Sequence, residues 1–507
     1  MIVKSLRGIA LCLVISTCAV QYALAQQGPS ANALVEQARV AAQRDQNANS
    51  ADLFARVIAQ DPSRRRELLA EYADQLTYSK RPAQAVPIYE EILQDPRSSE
   101  ERERAQKGLG LALLWSDQPS RASKVYAQIL ADHPQDRDAQ RSLVRALSWS
   151  GRQREALVRA NEILAMHPED DETRTMAAQA LSWMGRPDRA SETLGSAVDK
   201  REIALRLDRQ LKIDQAPRAL LDTRGSTQSD GLDIRNWRAA QSVTFAQGRG
   251  AAGLRVDHTD YRQTKTGDGA LVVRPGVYGR YRLNDSFELN GELGQEQIRM
   301  ADGTTQMRGV GSSWLTWWPD DVLRFDLSTN RDTFDNLKSL RLGITARQHG
   351  LSMDFKPTDR QRYTVRVSRS IYSDGNTRDW GQLETEYRWR THPDMFAGLR
   401  YTQFSFSTLL DNGYFNPLRY RSTQVTLRTI WTPGGDEGRL HLQGGLALGR
   451  EVADPGGSKP ANDASLRFIY DINQQTQLAL RAQRFTSRTA DSGFARGLLG
   501  LSLEHAW

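Results

Sequence analysis

Glu288, Glu292, Arg324, Asp326, Glu384, Glu386, Arg388 and Arg390 occupy alternate positions in short segments whose intervening residues are mainly apolar. In an extended strand that spacing sends them to one face. Carboxylates and guanidiniums interleaved on a wet face hold hydroxyl-bearing or charged solutes through many weak, reversible contacts. A reaction centre would need more. Of seven histidines, His133 and His167 fall in turns, while His258, His349, His392, His441 and His505 are scattered singly, none at metal-ligand spacing. No G-x-S-x-G elbow occurs. Residues 248–253 fit G-x-G-x-x-G only formally, because they separate two alternating segments with no helix behind them, and they read as a hairpin turn. The chain is therefore read as carrying no catalytic, cofactor or metal site, and the eight charged residues as the lining of a hydrated pore.

The same alternation defines the elements that would position them. Phe287, Leu289 and Leu293 oppose Glu288, Asn290 and Glu292; Leu323, Phe325 and Leu327 oppose Arg324, Asp326 and Ser328. Leu383, Thr385, Tyr387 and Trp389 oppose Glu384, Glu386, Arg388 and Arg390, and Leu466, Phe468, Tyr470 and Ile472 oppose Arg467 and Asp471. Turn-rich breaks such as Gly267-Asp268-Gly269, Asp302-Gly303 and Pro433-Gly434-Gly435 recur every ~15 to 20 residues, so residues 217–507 make about 16 strands. A soluble sandwich alternates as well, with its apolar face inward. Two features favour a membrane barrel instead. Trp314, Trp317, Trp318, Trp389 and Trp431 fall near strand ends, as an interfacial girdle requires, and the chain closes on Leu499-x-Leu501-x-Leu503-x-His505-x-Trp507.

The N-terminus supplies a third. Lys4 and Arg7 precede an apolar run over residues 9–20, and Ala23-Leu24-Ala25 offers the small residues of a cleavage site, so residues 1–25 read as an export signal. The run is shorter than the ~20 residues a spanning helix needs. Cys12 and Cys18 both lie in it, leaving the mature chain without disulfides or thiolate sites. Thr17 before Cys18 disfavours a lipoprotein box.

Between signal and strands the period is helical. Pro62, Pro96, Pro134 and Pro168 end successive helix pairs at separations of 34, 38 and 34 residues. Leu76-Thr77-Tyr78, Leu113-Leu114-Trp115, Leu147-Ser148-Trp149 and Leu181-Ser182-Trp183 recur in phase, each closing the first helix of a pair. Ala85, Ala122, Ala156 and Ala190 follow where two helices must approach. The pattern resembles the tetratricopeptide repeat. About five units fit residues 26–199, with degenerate ends as caps, and a capping helix and linker fit residues 200–216. The recurring Trp and Tyr are assigned to helix packing, and the array to a docking surface.

Charge adds an exclusion. Residues 26–215 hold 28 basic and 29 acidic groups, and residues 216–507 hold 38 and 32. The only tight basic cluster is Arg64-Arg65-Arg66 in a turn, so nucleic acid is not an expected partner.

Signal, tetratricopeptide array and C-terminal barrel in this order resemble the outer-membrane exopolysaccharide exporters, most closely the poly-N-acetylglucosamine export porins (PgaA-like). Three barrel stretches carry the resemblance: Leu340-Arg341-Leu342-Gly343-Ile344-Thr345-Ala346, Tyr372-Ser373-Asp374-Gly375-Asn376, and Gly413-Tyr414-Phe415-Asn416-Pro417-Leu418-Arg419. It implies an α + β chain of two domains, a periplasmic α-solenoid (26–199) before a transmembrane antiparallel barrel (217–507) in the outer membrane lipid. The barrel would export an exopolysaccharide for biofilm matrix, and the repeats would hold the polymer or a modifying enzyme such as a deacetylase. Tyr414, Phe415, Asn416, Pro417 and Arg419 would shape a strand-end loop. A cellulose-type exporter and a surface receptor or scaffold without polymer flux are the alternatives. The repeats are fewer than in these families, and the mixed Arg and acid of the strand face differs from the acidic lining that a cationic polymer would favour.

Overall fold

The computed structural model describes residues 30–195, 197, 201–486 and 495–507; the export signal lies outside them. The chain forms two compact units, up to Ala146 and from Leu147 to Trp507. Helices α1 (Ala31–Gln43), α2 (Asn47–Gln60), α3 (Arg65–Tyr78), α4 (Pro82–Gln94), α5 (Ser99–Trp115) and α6 (Pro119–Asp132) lie in the first. Helix α7 (Arg137–Trp149) reaches into the second, followed by α8 (Gln153–Met166), α9 (Asp171–Trp183), α10 (Pro187–Leu194) and α11 (Glu202–Gln215). Proline opens α4, α6 and α10, where its missing N–H costs no helical bond. Ala85, Ala122, Ala156 and Ala190 are all fully buried, as close helix approach requires.

The recurring aromatic residues do not pack in the core. Tyr78, Trp115, Trp149 and Trp183 are 52%, 46%, 48% and 51% exposed. Each stands two residues beyond a buried leucine, Leu76, Leu113, Leu147 or Leu181, and two residues turn a helix by about 200°. The leucine therefore faces the core and the ring faces away.

From Arg218 the chain makes a closed barrel of sixteen antiparallel strands, β1 (Arg218–Gln228) to β16 (Arg496–Ala506), joined in sequence order with β1 paired to β16. Its polarity is inside out. Leu221, Leu254, Leu293, Leu327, Leu399, Val425 and Leu501 point outward and are 43–70% exposed. A continuous apolar belt of that extent is untenable in water and suited to lipid. No helix among the described residues is long and apolar enough to cross a membrane, so strands do the crossing.

Stacked outward rings mark one end of the belt: Phe287 on Trp317 at 6.1 Å, Trp317 on Phe325 at 5.3 Å, and Phe245 on Tyr281 at 5.9 Å. Trp389 and Trp431 are exposed near the same end. Two of the expected girdle members are placed otherwise. Trp314 has inward parity and lines the lumen, and Trp318 sits in a turn with the Arg282 guanidinium 3.9 Å from its ring centroid. With its strands hydrogen-bonded to one another around a closed circle, the barrel is expected to resist detergent. Unboiled protein is expected to run faster than boiled protein in a denaturing gel and to fractionate with outer membranes. Equal mobility and recovery in the soluble fraction would contradict a lipid-facing barrel.

Candidate functional site

Strand alternation fixes the lumen wall. Glu288 and Glu292 point inward from β5 (Phe287–Met300), Arg324 and Asp326 from β7 (Leu323–Thr333), and Glu384, Glu386 and Arg388 from β10 (Thr377–Thr391). Arg390 leaves that row. A bulge places Arg388 opposite Phe396 but Arg390 opposite Met395, and the Arg390 Nε donates to the His392 carbonyl at 3.0 Å.

The inward acids are matched by guanidiniums, from the same strand or from strands one or two places away. Glu292 pairs with Arg255, which also lies 3.2 Å from Asp257. Glu384 accepts from Arg400 at 2.9 Å, and Glu386 accepts both ends of Arg428 at 2.7 and 3.0 Å. Asp326 accepts from Arg324 at 2.9 Å and from Thr316 at 2.6 Å, while Arg388 bridges Asp359 and Asp394 at 3.4 Å each. Such partly hydrated pairs contribute only about 0–1 kcal/mol apiece. Their effect is on the field: acid and base cancel locally, and the wall offers dense hydrogen bonding without a strong net potential. Among the described residues no three His, Cys, Asp or Glu side chains cluster to hold a metal.

At the end remote from the helices, two loops fold into the mouth. The loop after β7 carries Phe334 and the short helix α12 (Leu337–Leu342), whose Leu337 and Leu340 bury against Leu232, Ile234, Val272 and Ile298 of the wall. Residues 407–418 form the other loop. Tyr414 stacks on Phe334 at 4.8 Å and on Tyr372 at 5.1 Å, and its hydroxyl donates to Asp374 at 2.8 Å. Asn412 donates to the same carboxylate at 2.9 Å, and Ser339 on α12 donates to the Asn412 carbonyl at 2.7 Å. Asn376 holds Thr408 at 2.8 Å, and Asn416 holds the Leu410 carbonyl at 2.7 Å. Gly413 has φ +92°, and a Cβ there would lie 2.5 Å from Asn336 Oδ1, so only glycine lets the two loops meet. The three stretches quoted from the sequence thus converge on one clasp. Phe415 packs on the rim of the same cluster, whereas Arg419 is the exposed first residue of β12 (Arg419–Trp431). Phe334, Asp335 and Asn336 were not singled out in the sequence; the break in alternation after Thr333 was the available signal. Beneath the clasp lies a cavity of about 430 Å³ walled by Arg274, Glu296, Asp332 and Arg378.

At the other end, the helices of the second unit are fastened to the barrel turns. Asp321 accepts the backbone N–H of Arg154 at 3.0 Å and of Glu155 at 3.3 Å, placing an anion at the start of α8, where the helix dipole favours it. Burial pushes the Asp321 carboxyl above its ordinary value, against the pull of those two N–H groups. The Arg154 guanidinium donates to the carbonyls of Asp285 and Trp318 at 2.8 and 2.7 Å, and Asp285 also binds Arg186 and Arg189. Gly248 has φ +88°, and a Cβ there would meet Pro187 at 2.8 Å. Two cavities open between helices and wall. One of about 420 Å³ is lined by Trp149, Arg362, Glu386, Arg388 and Phe396, the other of about 660 Å³ by Ser182, Tyr278, Arg280, Glu292 and Trp314.

A lipid-facing barrel with an ion-paired polar lumen and a clasped mouth, preceded by helical repeats, defines an outer-membrane porin with a tetratricopeptide array. Residues 236–432 match the PgaA membrane beta barrel domain, and residues 76–147 match a tetratricopeptide repeat family. Solved structures of similar shape include a bacterial polysaccharide outer membrane secretin, at 13% identity over 57% of this chain and 98% of that one, TM-score 0.46. Others are OccK7 (OpdD) of Pseudomonas aeruginosa, at 14% over 57% and 97%, TM-score 0.34, and the tetratricopeptide protein YrrB, at 16% over 37% and 97%, TM-score 0.29. Comparison with curated proteins gives no match.

Proposed function

We propose that this protein exports an exopolysaccharide of the poly-N-acetylglucosamine type through the outer membrane for biofilm matrix. The repeats stand in the periplasm and hold the emerging polymer or a polymer-modifying deacetylase. The reading is supported above all by the lumen, a polar, ion-paired wall inside a barrel whose residues 236–432 match the PgaA membrane beta barrel domain. A sugar polymer slides along such a wall by exchanging many weak hydrogen bonds, with no tight site to leave. Because guanidiniums match the acids, the wall suits a largely neutral, N-acetylated chain better than a strongly cationic one.

Deleting the gene is expected to abolish surface polysaccharide while synthesis continues, leaving polymer in the periplasm. Digestion of wild-type matrix with a poly-N-acetylglucosamine hydrolase and, separately, with a cellulase names the sugar. Cellulase sensitivity alone would redirect the assignment to a cellulose-type exporter. Matrix of normal amount and composition in the deletion strain would overturn export in favour of a receptor or scaffold.

A further inference from the structure

On the outer face of the barrel, the adjacent strands β7, β8 (Thr345–Phe355) and β9 (Gln361–Tyr372) sort their residues by depth. Asn330, Asp332 and Gln348 line the cavity under the clasp, so the residues that alternate with them point outward. Nearest the helices the outward rows are Phe325, Met353 and Val365, then Leu327, Leu351 and Val367. The next rows, toward the clasped mouth, are Thr329, His349 and Arg369, then Arg331, Arg347 and Ile371. Arg331, Arg347, His349 and Arg369 are all exposed. Arg331 and Arg347 stand directly opposite each other, and like charges about 5 Å apart across a strand pair repel. Arg369 has the exposed Asp379 at 3.7 Å. Among the described residues, Arg331 and Arg347 have no ion pair or hydrogen bond. Arg235 and Arg299, exposed at the same end, face Asp260 and Thr305 instead. Beside the patch, Gly311 of β6 (Thr305–Trp317) lies between Leu293 and Arg331 in the register, and neither it nor Gly309 puts a side chain on the outer face. Strand β6 pairs with β7 only over Gly311–Trp317, so one edge of residues 305–310 has no strand partner. The facing arginines therefore border a furrow in the outer wall.

We infer that Arg331, Arg347 and Arg369 bind the phosphorylated sugar headgroup of an outer-leaflet glycolipid, the lipid anchor of lipopolysaccharide. With the repeats in the periplasm, as proposed above, the clasped mouth faces the exterior and these rows lie in the outer leaflet. The site rests on that placement and not on what passes through the lumen. A guanidinium meets a phosphate with two parallel hydrogen bonds, and an anion set between Arg331 and Arg347 turns their repulsion into a bridge. An amphiphile fits better than a free anion. Leu327, Leu351 and Val367, 60%, 46% and 49% exposed, continue directly below the cations and give acyl chains an apolar path. The furrow over Gly309 and Gly311 leaves room for the headgroup beside Arg331. The loop that carries α12 joins β7 to β8, so a phosphate bridging the two arginines also ties together the strands that hold one half of the clasp.

The test uses full-length protein in detergent micelles titrated with bisphosphorylated lipid A, with dephosphorylated lipid A, phosphatidylglycerol and inorganic phosphate as comparisons. Native mass spectrometry reads the retained lipid, and the temperature at which heat-modified mobility is lost reads its effect on the barrel. Wild type is expected to retain bisphosphorylated lipid A and to unfold at a higher temperature with it. An Arg331→Gln, Arg347→Gln variant should bind about tenfold more weakly or worse. Without lipid the same variant should unfold no lower than wild type, because the repulsion has gone. An Arg235→Gln, Arg299→Gln variant removes equal charge at the same end and should bind as wild type does. No retention by wild type, equal retention of dephosphorylated lipid A or phosphatidylglycerol, displacement by inorganic phosphate, or unchanged affinity in Arg331→Gln, Arg347→Gln would overturn the site. Orientation is read separately. Asp411→Cys, at an exposed position of the clasp loop, should react with a membrane-impermeant maleimide on intact cells. Labelling without lipid binding would overturn the site and leave the periplasmic repeats standing, whereas no labelling would overturn that placement and the outer-leaflet assignment with it.

Discussion

A Tyr414→Ala, Asp374→Ala double variant is expected to convert a closed pore into a conducting one. The Tyr414 ring is buried between Phe334 and Tyr372, and Asp374 gathers the hydroxyl of Tyr414 and the amide of Asn412. Removing a buried aromatic costs about 3–5 kcal/mol, and here the loss falls on the clasped state, because the released loops are hydrated. A bias of that size shifts a two-state mouth toward the open form by roughly 100-fold or more. In planar bilayers wild type should give rare openings and the variant sustained conductance, and cells carrying it should become sensitive to vancomycin. Tyr414→Phe loses one hydrogen bond, about 1 kcal/mol, and should open far less. Equal conductance in wild type and the double variant would show that the clasp does not close the passage.

Leu501→Arg is expected to abolish outer-membrane assembly. Leu501 lies midway along β16, points outward, and stands opposite Thr223 and Leu480 on its two neighbours. An arginine on the lipid face at that depth costs about 2–4 kcal/mol, and it falls on the strand that closes the barrel. Ser502→Arg, one residue along, points into the lumen and should assemble normally. Heat-modified mobility of the two variants decides the matter, and equal yields would mean that β16 does not face lipid.

Much of this was written in local pattern. The period-two alternation gave strands, and its length gave their number, because each strand needs only its own residues to define two faces. The proline spacing and the small Ala85, Ala122, Ala156 and Ala190 defined helix pairs for the same reason. Which face of the strands met lipid was open in the pattern alone, since a sandwich and a barrel alternate alike; closure of β1 onto β16 settled it by leaving the leucines outside. Glu384 and Glu386 could be placed on a face, but their partners Arg400 and Arg428 lie on other strands and depend on register. Arg390 was misplaced because a bulge is one extra residue with no sequence mark of its own. Trp149 resembled a packing residue until the helix phase turned it outward, and its place beside Arg362 and Glu386 required the helices to be seated on the barrel. The clasp was visible only as three separate stretches; that Tyr414, Tyr372 and Phe334 meet is a consequence of loops crossing the mouth, a long-range contact that no local periodicity encodes. Sequence alone thus determined the elements and their two-faced character, and tertiary structure decided which faces and loops came together, because burial and register are properties of the closed chain.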